Sequence, residues 1–218
     1  MRRIILVELL AFIALSSFAL ANGFRLGADA LFGGQTKISI SGTGSATGNA
    51  ANEDFEADNA LGFMVGGSYY YDFSDKFFAL LGVTYTSQET EEVMNMAKAS
   101  GTSWVAGDNG TVKTSSVDIQ IGGQAKVDDF SLGLVVTFPV WAQVRGAIDN
   151  TTGKDDYDLA GGLGLDFNID YSFTENFSTN IGYSFLNTSD SGDKGDNNRE
   201  LSVASSVDRW KFGVYYTF

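Results

Sequence analysis

The sequence predicts a closed, eight-stranded, antiparallel up-and-down transmembrane β-barrel, an all-β fold that three observations support. Apolar and polar residues alternate with a period of two through eight separate runs. Short and long connections alternate between these runs, which is typical of a meander with one plain and one elaborated end. Aromatic residues flank the aliphatic part of the apolar face, as they do where strands cross two membrane interfaces.

The first four predicted strands all follow this alternation. Residues 24–32 place apolar side chains at even positions and Arg25, Gly27 and Asp29 between them. Residues 61–73 and 79–85 form a predicted hairpin around a tight polar turn. Residues 117–127 then alternate Val and Ile with Asp, Gln and Lys. A tilted strand crosses the hydrocarbon of a membrane in about 9–11 residues, a length that suits these runs.

The last four predicted strands complete the meander. Residues 130–138 follow the fourth strand after a two-residue polar turn, and residues 157–173 form the longest run. Residues 177–185 return after another tight turn, and residues 210–218 end the chain on an aromatic residue. Backbone groups in lipid must all be paired, so a sheet of eight such strands is expected to close.

The connections fall into two classes. The tight turns are 74–76, 128–129 and 174–176, and the long polar segments are 33–60, 86–115, 143–156 and 187–206. Thr36–Ser41 is predicted to extend the first hairpin above the membrane, and Glu89–Ala99 has the spacing of a short helix. A ten-stranded barrel that recruits 36–41 and part of 100–113 stays open as an alternative.

Two hairpins share one sequence pattern. The segments Tyr71–Phe77 and Tyr171–Phe177 match position by position in their aromatic residues, and each is followed by an apolar residue and Gly at 81–82 and 181–182. Coincident turn composition is the alternative explanation. Two equivalent hairpins that turn at the same end of the barrel account for the match more simply.

The composition narrows the function classes. The 218 residues include no Cys and no His, which excludes disulfides, Cys-ligated metals, axial-His haem and every Ser-His or Cys-His catalytic arrangement. The formal charge is −13, from 14 basic and 27 acidic residues, and this acidity argues against a nucleic-acid partner. We therefore expect no catalytic residues, no cofactor and no resident metal.

The first residues have the pattern of a signal peptide. Met1–Arg3 is basic, residues 4–20 are mostly apolar, and Ala19-Leu20-Ala21 supplies the small residues of a cleavage site. The sequence therefore predicts a cleaved signal peptide over 1–21 and a barrel domain over 22–218. A membrane anchor helix is the alternative, but the apolar run is short and contains Glu8.

The last strand resembles the outer-membrane assembly signal, whose defined positions are matched by Lys211, Gly213, Tyr216 and Phe218. With the signal peptide and the repeated turns, the chain resembles the small eight-stranded outer-membrane β-barrel family of the opacity, OmpX and OmpA-barrel type. The resemblance implies an outer-membrane monomer that contacts outer-membrane lipid and the barrel-assembly machinery. It also implies periplasmic termini and extracellular long segments, and it fixes no activity.

Charged residues on the polar faces are predicted to form a lumen ionic network. Low-dielectric surroundings require such charges to be paired or hydrated. We expect these side chains to plug the barrel with ion pairs: Arg25, Asp29, Asp72, Asp118, Lys126, Asp158, Asp166, Asp170, Arg209 and Lys211. The alternative is a narrow channel for small or apolar solutes, as in OmpW-like barrels, with Met64, Pro139 and Trp141 along its path.

The long segments are rich in acids, which include Glu53, Asp54, Glu56, Asp58, Glu89, Glu91, Glu92, Asp155 and Asp156. The stretch Asp190–Asp196 has a spacing that hints at a Ca²⁺ loop, although it lacks the full alternating ligand set. Divalent cations or an external ligand are therefore possible partners of the loops. The sequence predicts a structural or surface-interaction role through these four acidic segments.

Overall fold

The computed structural model describes residues 23–43, 50–91, 97–100, 103–106, 111–146, 156–159, 161–189, 193–195 and 199–218. The predicted signal peptide over 1–21 lies outside these ranges. The described residues form these strands: β1 (Phe24–Phe32), β2 (Gln35–Thr43), β3 (Ala50–Ser74), β4 (Phe77–Thr90), β5 (Ala97–Ser100), β6 (Ser103–Ala106), β7 (Val112–Val127), β8 (Phe130–Gly146), β9 (Asp156–Leu159), β10 (Gly162–Ser172), β11 (Phe177–Ser189), β12 (Asp193–Gly195) and β13 (Arg199–Thr217). Within the same ranges, no helix is long and apolar enough to cross a membrane.

Eight strands pair antiparallel in a closed ring. Their order is β1-β13-β11-β10-β8-β7-β4-β3, and β3 pairs again with β1. The first and last strands close the ring through eight paired positions, from Arg25 with Thr217 to Phe32 with Trp210. The predicted eight-stranded up-and-down barrel is therefore confirmed.

Three short strands continue long ones. Strand β2 follows β1 in the same direction and pairs with the same two neighbours, β3 and β13. Strand β9 precedes β10 along β8, and β12 follows β11 along β13. In the described part of the chain, β5 and β6 pair only with each other. The ten-stranded alternative is wrong, because 36–41 extends the first wall strand, and β5 and β6 join no wall strand in the described part of the chain.

The strands extend much further than the sequence predicts. Strand β3 begins at Ala50, β8 continues to Gly146 and β13 begins at Arg199, so much of the predicted long segments is sheet. The physical reason is that the outward face loses its large apolar residues there, while apolar residues such as Val144, Val203 and Val207 point inward, so the lipid-facing alternation stops before the strand does. The predicted extension over 36–41 is confirmed in β2.

The predicted helix over Glu89–Ala99 is wrong at both of its ends. Its first residues belong to β4 and its last residues to β5, while 92–96 lie outside the described residues. The acids Glu53 to Asp58 likewise belong to β3 rather than to a loop. One of them, Glu56, accepts a 2.9 Å hydrogen bond from Lys37 Nζ of β2, and this bond raises the pKa of Lys37.

The three tight connections lie at one end of the barrel, here called the turn end, and the opposite end is called the loop end. The repeated segments form the hairpins β3–β4 and β10–β11, which both turn at the turn end, so their predicted equivalence is confirmed. Aromatic pairs cluster around this end. The ring centroids of Tyr71 and Phe73 are 5.1 Å apart, and those of Tyr216 and Phe218 are 4.8 Å apart.

A soluble sandwich buries its apolar faces and exposes its polar faces, whereas this sheet does the reverse. Large apolar side chains on the outside are exposed, such as Leu132 at 56% and Phe167 at 55%. Buried positions, in contrast, are mostly polar among the described residues, and they include seven charged side chains. An apolar exterior around a polar interior is the arrangement that a barrel adopts in lipid. The polar interior, here called the lumen, is therefore the candidate site.

Candidate functional site: the ionic lumen

Strand alternation brings seven of the ten predicted network residues into the lumen. Each of the seven is at most 6% exposed: Arg25, Asp29, Asp118, Asp166, Asp170, Arg209 and Lys211. They come from β1, β7, β10 and β13, which lie on different sides of the ring. The lumen therefore gathers charges that are as far as 186 positions apart in the sequence.

The charge cluster nearest the turn end is centred on Asp170. Arg25 Nη2 lies 3.1 Å from Asp170 Oδ1, and Arg25 Nη1 lies 3.3 Å from Asp170 Oδ2. Gln124 Nε2 donates to Asp170 Oδ2 at 2.7 Å, and Asn180 Nδ2 donates to Asp170 Oδ1 at 3.0 Å. Arg25 Nη2 also donates to Ser178 Oγ at 2.8 Å. This bidentate pair is thus fixed from four strands at once.

Two tyrosines hold the Arg25 guanidinium in position. Its Cζ lies 3.9 Å from the centroid of the Tyr215 ring and 5.6 Å from that of Tyr70. Arg25 Nη1 donates to Tyr70 Oη at 2.8 Å, and Tyr215 Oη donates to Asp29 Oδ2. Stacking a guanidinium on an aromatic face is favourable where water is excluded. Tyr215 therefore connects the Arg25 cluster to Asp29.

Lys211 forms the second ion pair, nearer the middle of the barrel. Its Nζ lies 3.0 Å from Asp166 Oδ1, and Thr137 Oγ1 donates to Asp166 Oδ2. All three side chains are at most 5% exposed. Because both carboxylate oxygens have donors, this pair meets the conditions under which a buried ion pair is tolerated.

Asp118 and Arg209, like Asp29, form no ion pair among the described residues. Ser116 Oγ donates to Asp118 Oδ2 at 2.8 Å, while Asp118 Oδ1 has no hydrogen-bond partner among the described residues. Arg209 Nη1 reaches Gln88 Oε1 at 3.5 Å, and its Nε has no partner in the same part of the chain. The loop-end half of the network is therefore less completely paired than the turn-end half.

Three of the predicted network residues lie outside this cluster. Asp72 and Lys126 are exposed because each sits beside a tight turn, where the lumen opens to solvent. Asp158 is exposed beside Gln143, whose Nε2 donates to it at 3.2 Å. Strand β8 has a bulge near Pro139–Trp141, and beyond it the inward and outward positions of the strand are exchanged. Strand β9 pairs with this part of β8, so Leu159 points inward and Asp158 points outward.

The described residues line at least two small cavities inside the lumen. The larger is about 40 Å³ and is lined by Arg25, Asp29, Met64 and Tyr215, among others. The other is about 20 Å³, lies nearer the loop end and has Arg209 in its wall. A buried water needs about 10–15 Å³, whereas sites for small molecules measure about 300–1,000 Å³. These cavities can hold a few water molecules and are far too small for an organic solute.

Several polar residues that complete the network were not predicted from the sequence. They are Tyr70, Gln88, Ser116, Gln124, Thr137, Ser178, Asn180 and Tyr215. Each of them lies at an inward-facing position, as does a charged residue on the same strand or on a neighbouring strand. Strand parity was therefore the signal that could have found them, since neutral polar residues on the inward face must find partners for their polar atoms.

The C-terminal strand contributes to both faces of the wall. Lys211 points into the lumen, and a Cβ on Gly213 would lie 2.2 Å from Asp29 Oδ1, so glycine leaves the space that this carboxylate fills. Tyr216 and Phe218 point outward, and the Phe218 backbone N donates to Phe24 O at 2.9 Å. Three of the four residues that match the assembly signal thus lie in the strand that closes the ring, and Phe218 directly follows it.

The described residues contain no group of three or more acidic side chains that could hold a metal ion. The Ca²⁺-like stretch Asp190–Asp196 is described only at 193–195, where β12 runs, and the rest of it lies outside the described residues.

Comparisons with known proteins give a family for the whole wall. The family described as "Outer membrane protein beta-barrel domain" matches residues 6–218. No curated protein sequence matches the chain. Solved structures with similarity include Neisserial surface protein A, at 18% identity over 90% of this chain and 97% of that one, with a TM-score of 0.46. The outer membrane protease OmpT from Escherichia coli has 10% identity over 89% and 97% of the two chains, with a TM-score of 0.48. Ail, the attachment invasion locus protein of Yersinia pestis, has 14% identity over 90% and 99%, with a TM-score of 0.43.

Proposed function

The chain belongs to the outer-membrane β-barrel protein family, and we propose that it is a closed barrel with a structural or surface-interaction role. In this proposal the lumen is a plug that stabilises the wall and passes no solute. The long acidic segments at the loop end contact outer-membrane lipid, divalent cations or an external ligand. A signal peptide over 1–21 and the C-terminal residues Lys211, Gly213, Tyr216 and Phe218 direct export and recognition by the barrel-assembly machinery.

The filled lumen is the observation that carries this proposal. Arg25 and Asp170 join opposite sides of the ring through a buried ion pair, and Lys211 and Asp166 form another at a different depth. The cavities between these pairs measure about 40 and 20 Å³. A channel for small solutes would need a continuous opening, and moving these pairs apart would leave charges desolvated without partners.

We further propose that the barrel has no enzymatic activity. The chain has no His to act as a general base near neutral pH. The lumen carboxylates Asp166 and Asp170 are each occupied by a cation and by further hydrogen-bond donors. Such carboxylates have no open position for a substrate.

Planar-bilayer recording tests whether the lumen conducts. We expect the purified, folded protein to produce no reproducible conductance steps, because the ion pairs fill the cross-section of the lumen. A variant with Arg25→Ala, Tyr215→Ala and Lys211→Ala removes three large inward side chains and serves as the control that shows insertion. Reproducible openings of the unchanged protein, together with uptake of small solutes by liposomes, would favour the narrow-channel alternative.

Single cysteines test the orientation, because the chain has none of its own. Ser189 is exposed at the loop-end terminus of β11, and Ser74 is exposed at the turn end of β3. We expect a membrane-impermeant maleimide to label the Ser189→Cys variant on intact cells and the Ser74→Cys variant only after the outer membrane is permeabilised. The reverse labelling pattern would contradict extracellular long segments.

A further inference from the structure

The charged side chains of the lumen do not balance. Among the described residues, four buried carboxylates, Asp29, Asp118, Asp166 and Asp170, face three buried cations, Arg25, Arg209 and Lys211. All seven are at most 6% exposed, so solvent does not screen them. An uncompensated charge in low-dielectric surroundings is strongly unfavourable, so a proton or a bound cation must supply the missing positive charge.

Asp118 and Asp29 are the two buried carboxylates without an ion-pair partner in the described part of the chain. Asp170 and Asp166 each have an ion-pair partner within 3.1 Å. Asp29 accepts a hydrogen bond from Tyr215 and its Oδ1 also has no partner among the described residues, but its neighbours across the two adjacent strands are Gly213 and Met64, which offer no side-chain oxygen. Asp118 is 2% exposed and has only the Ser116 hydroxyl as a donor within the described ranges.

The surroundings of Asp118 are rich in oxygen, and Arg209, the buried cation whose charge acts on it, forms no ion pair with it among the described residues. Thr84 lies directly opposite Asp118 across the β4–β7 pair, and Thr86 lies opposite Ser116. On the other side Asp118 is paired with Pro139, which has no backbone N–H. Side chains directly opposite each other have Cβ atoms about 4.5–5.5 Å apart, so these oxygens line one small patch of wall.

Three oxygens of this patch have no hydrogen-bond partner among the described residues. They are Asp118 Oδ1, Thr84 Oγ1 and Thr86 Oγ1, and their side chains belong to residues that are 2%, 8% and 1% exposed. Thr84 lies in the wall of the 40 Å³ cavity and Thr86 in the wall of the 20 Å³ cavity. Two of the three residues, Thr84 and Thr86, therefore border spaces that can hold water.

We propose that the lumen binds one small monovalent cation at Asp118 Oδ1, Thr84 Oγ1 and Thr86 Oγ1. Hard oxygen ligands suit hard cations. One positive charge brings the net charge of the seven buried side chains to zero, whereas a divalent ion would make that net charge positive. Water in the adjacent cavities completes the coordination of the ion. This ion is a structural counter-charge, so the proposal is independent of the role at the cell surface.

Thermal unfolding in detergent micelles at pH 7 tests the site, with NaCl replaced by N-methyl-D-glucamine chloride at constant ionic strength. We expect Na⁺ to raise the Tm of the unchanged protein in a saturable way. The Asp118→Asn variant should lose this dependence and should be at least as stable as the unchanged protein without Na⁺. Thr84→Val and Thr86→Val should each raise the half-saturating Na⁺ concentration at least fivefold, while Ser184→Ala, which removes a buried hydroxyl on β11 that lines neither cavity, should leave it unchanged.

Several results would overturn the proposal. A Tm of the unchanged protein that is the same in both salts rules out the cation, and a rise of that Tm at lower pH then identifies a proton as the counter-charge. A Na⁺ dependence that survives Asp118→Asn places the ion elsewhere, for example at the acidic segments. If Asp118→Asn does not fold, ²³Na line broadening decides: it should be present in the unchanged protein and reduced in the Thr86→Val variant.

Discussion

Replacing Asp170 with alanine is expected to lower the free energy of unfolding by about 3–5 kcal/mol, the cost of breaking a buried ion pair by removing one partner. The substitution leaves Arg25, which is 6% exposed, without its carboxylate. It also removes the acceptor for Gln124 and Asn180, so two amides lose hydrogen bonds in the lumen. Three strands that Asp170 connects to β10 would lose this anchor together.

Urea unfolding in detergent micelles, followed by tryptophan fluorescence, measures the effect. Asp72→Ala is the matched control, because Asp72 is an exposed aspartate close to the turn end, and its loss should change the stability by no more than about 0.5 kcal/mol. Equal effects of the two substitutions would show that the Arg25–Asp170 pair does not stabilise the barrel.

A double variant separates loss of the pair from loss of one partner. When Arg25→Met and Asp170→Leu are combined, no charge remains unpaired at this level, and apolar replacement of a buried pair is often neutral or stabilising. We expect the double variant to recover most of the stability that Asp170→Ala loses. Because this pair is neutral, the double variant also leaves the charge imbalance around Asp118 unchanged.

The part of the fold that lies in lipid was predictable because its two faces meet different surroundings. In β1, simple alternation places Arg25 and Asp29 inside and Leu26 outside, as in the structure. The same rule places Asp166, Asp170 and Lys211 correctly on β10 and β13. A contrast between lipid and a polar lumen thus imposes a strict period of two, and that period is visible in the sequence.

Beyond the lipid, both faces of the wall can be polar, and the period no longer identifies strands. Strand β3 therefore extends eleven residues before Leu61, where the sequence reading began the strand. Bulges add a second difficulty, because one extra residue exchanges the two faces. Asp158 was assigned to the lumen by uninterrupted alternation, but the bulge in β8 and the glycines before β10 place it outside.

The bulge between β1 and β2 is another position at which the inward and outward faces of the wall are exchanged. Gly33 and Gly34 have φ values of 59° and 72°, and they let the chain pass from Leu31 inside the lumen to Thr36 inside the lumen. A Cβ on Gly34 would lie 2.1 Å from the backbone O of Asp208. That carbonyl accepts a hydrogen bond from Asn59 Nδ2, and the Asp208 carboxylate accepts another from Gln35 N, so it has little freedom to move.

Gly34→Ala is therefore expected to lower the free energy of unfolding by about 2–5 kcal/mol, from a left-handed backbone penalty of about 1–2 and an overpacking cost of about 1–3. Gly33→Ala is the matched control, since its φ is also positive but the nearest atom to its Cβ is Trp210 Cδ1 at 3.7 Å. It should lose only the backbone penalty of about 1–2 kcal/mol. Urea unfolding of both variants measures the difference, and equal losses would mean that the Asp208 carbonyl moves aside. A larger loss for Gly34→Ala would show that the close contact with β13, rather than glycine's flexibility alone, fixes the register in which β2 turns Thr36 and Ile38 inward.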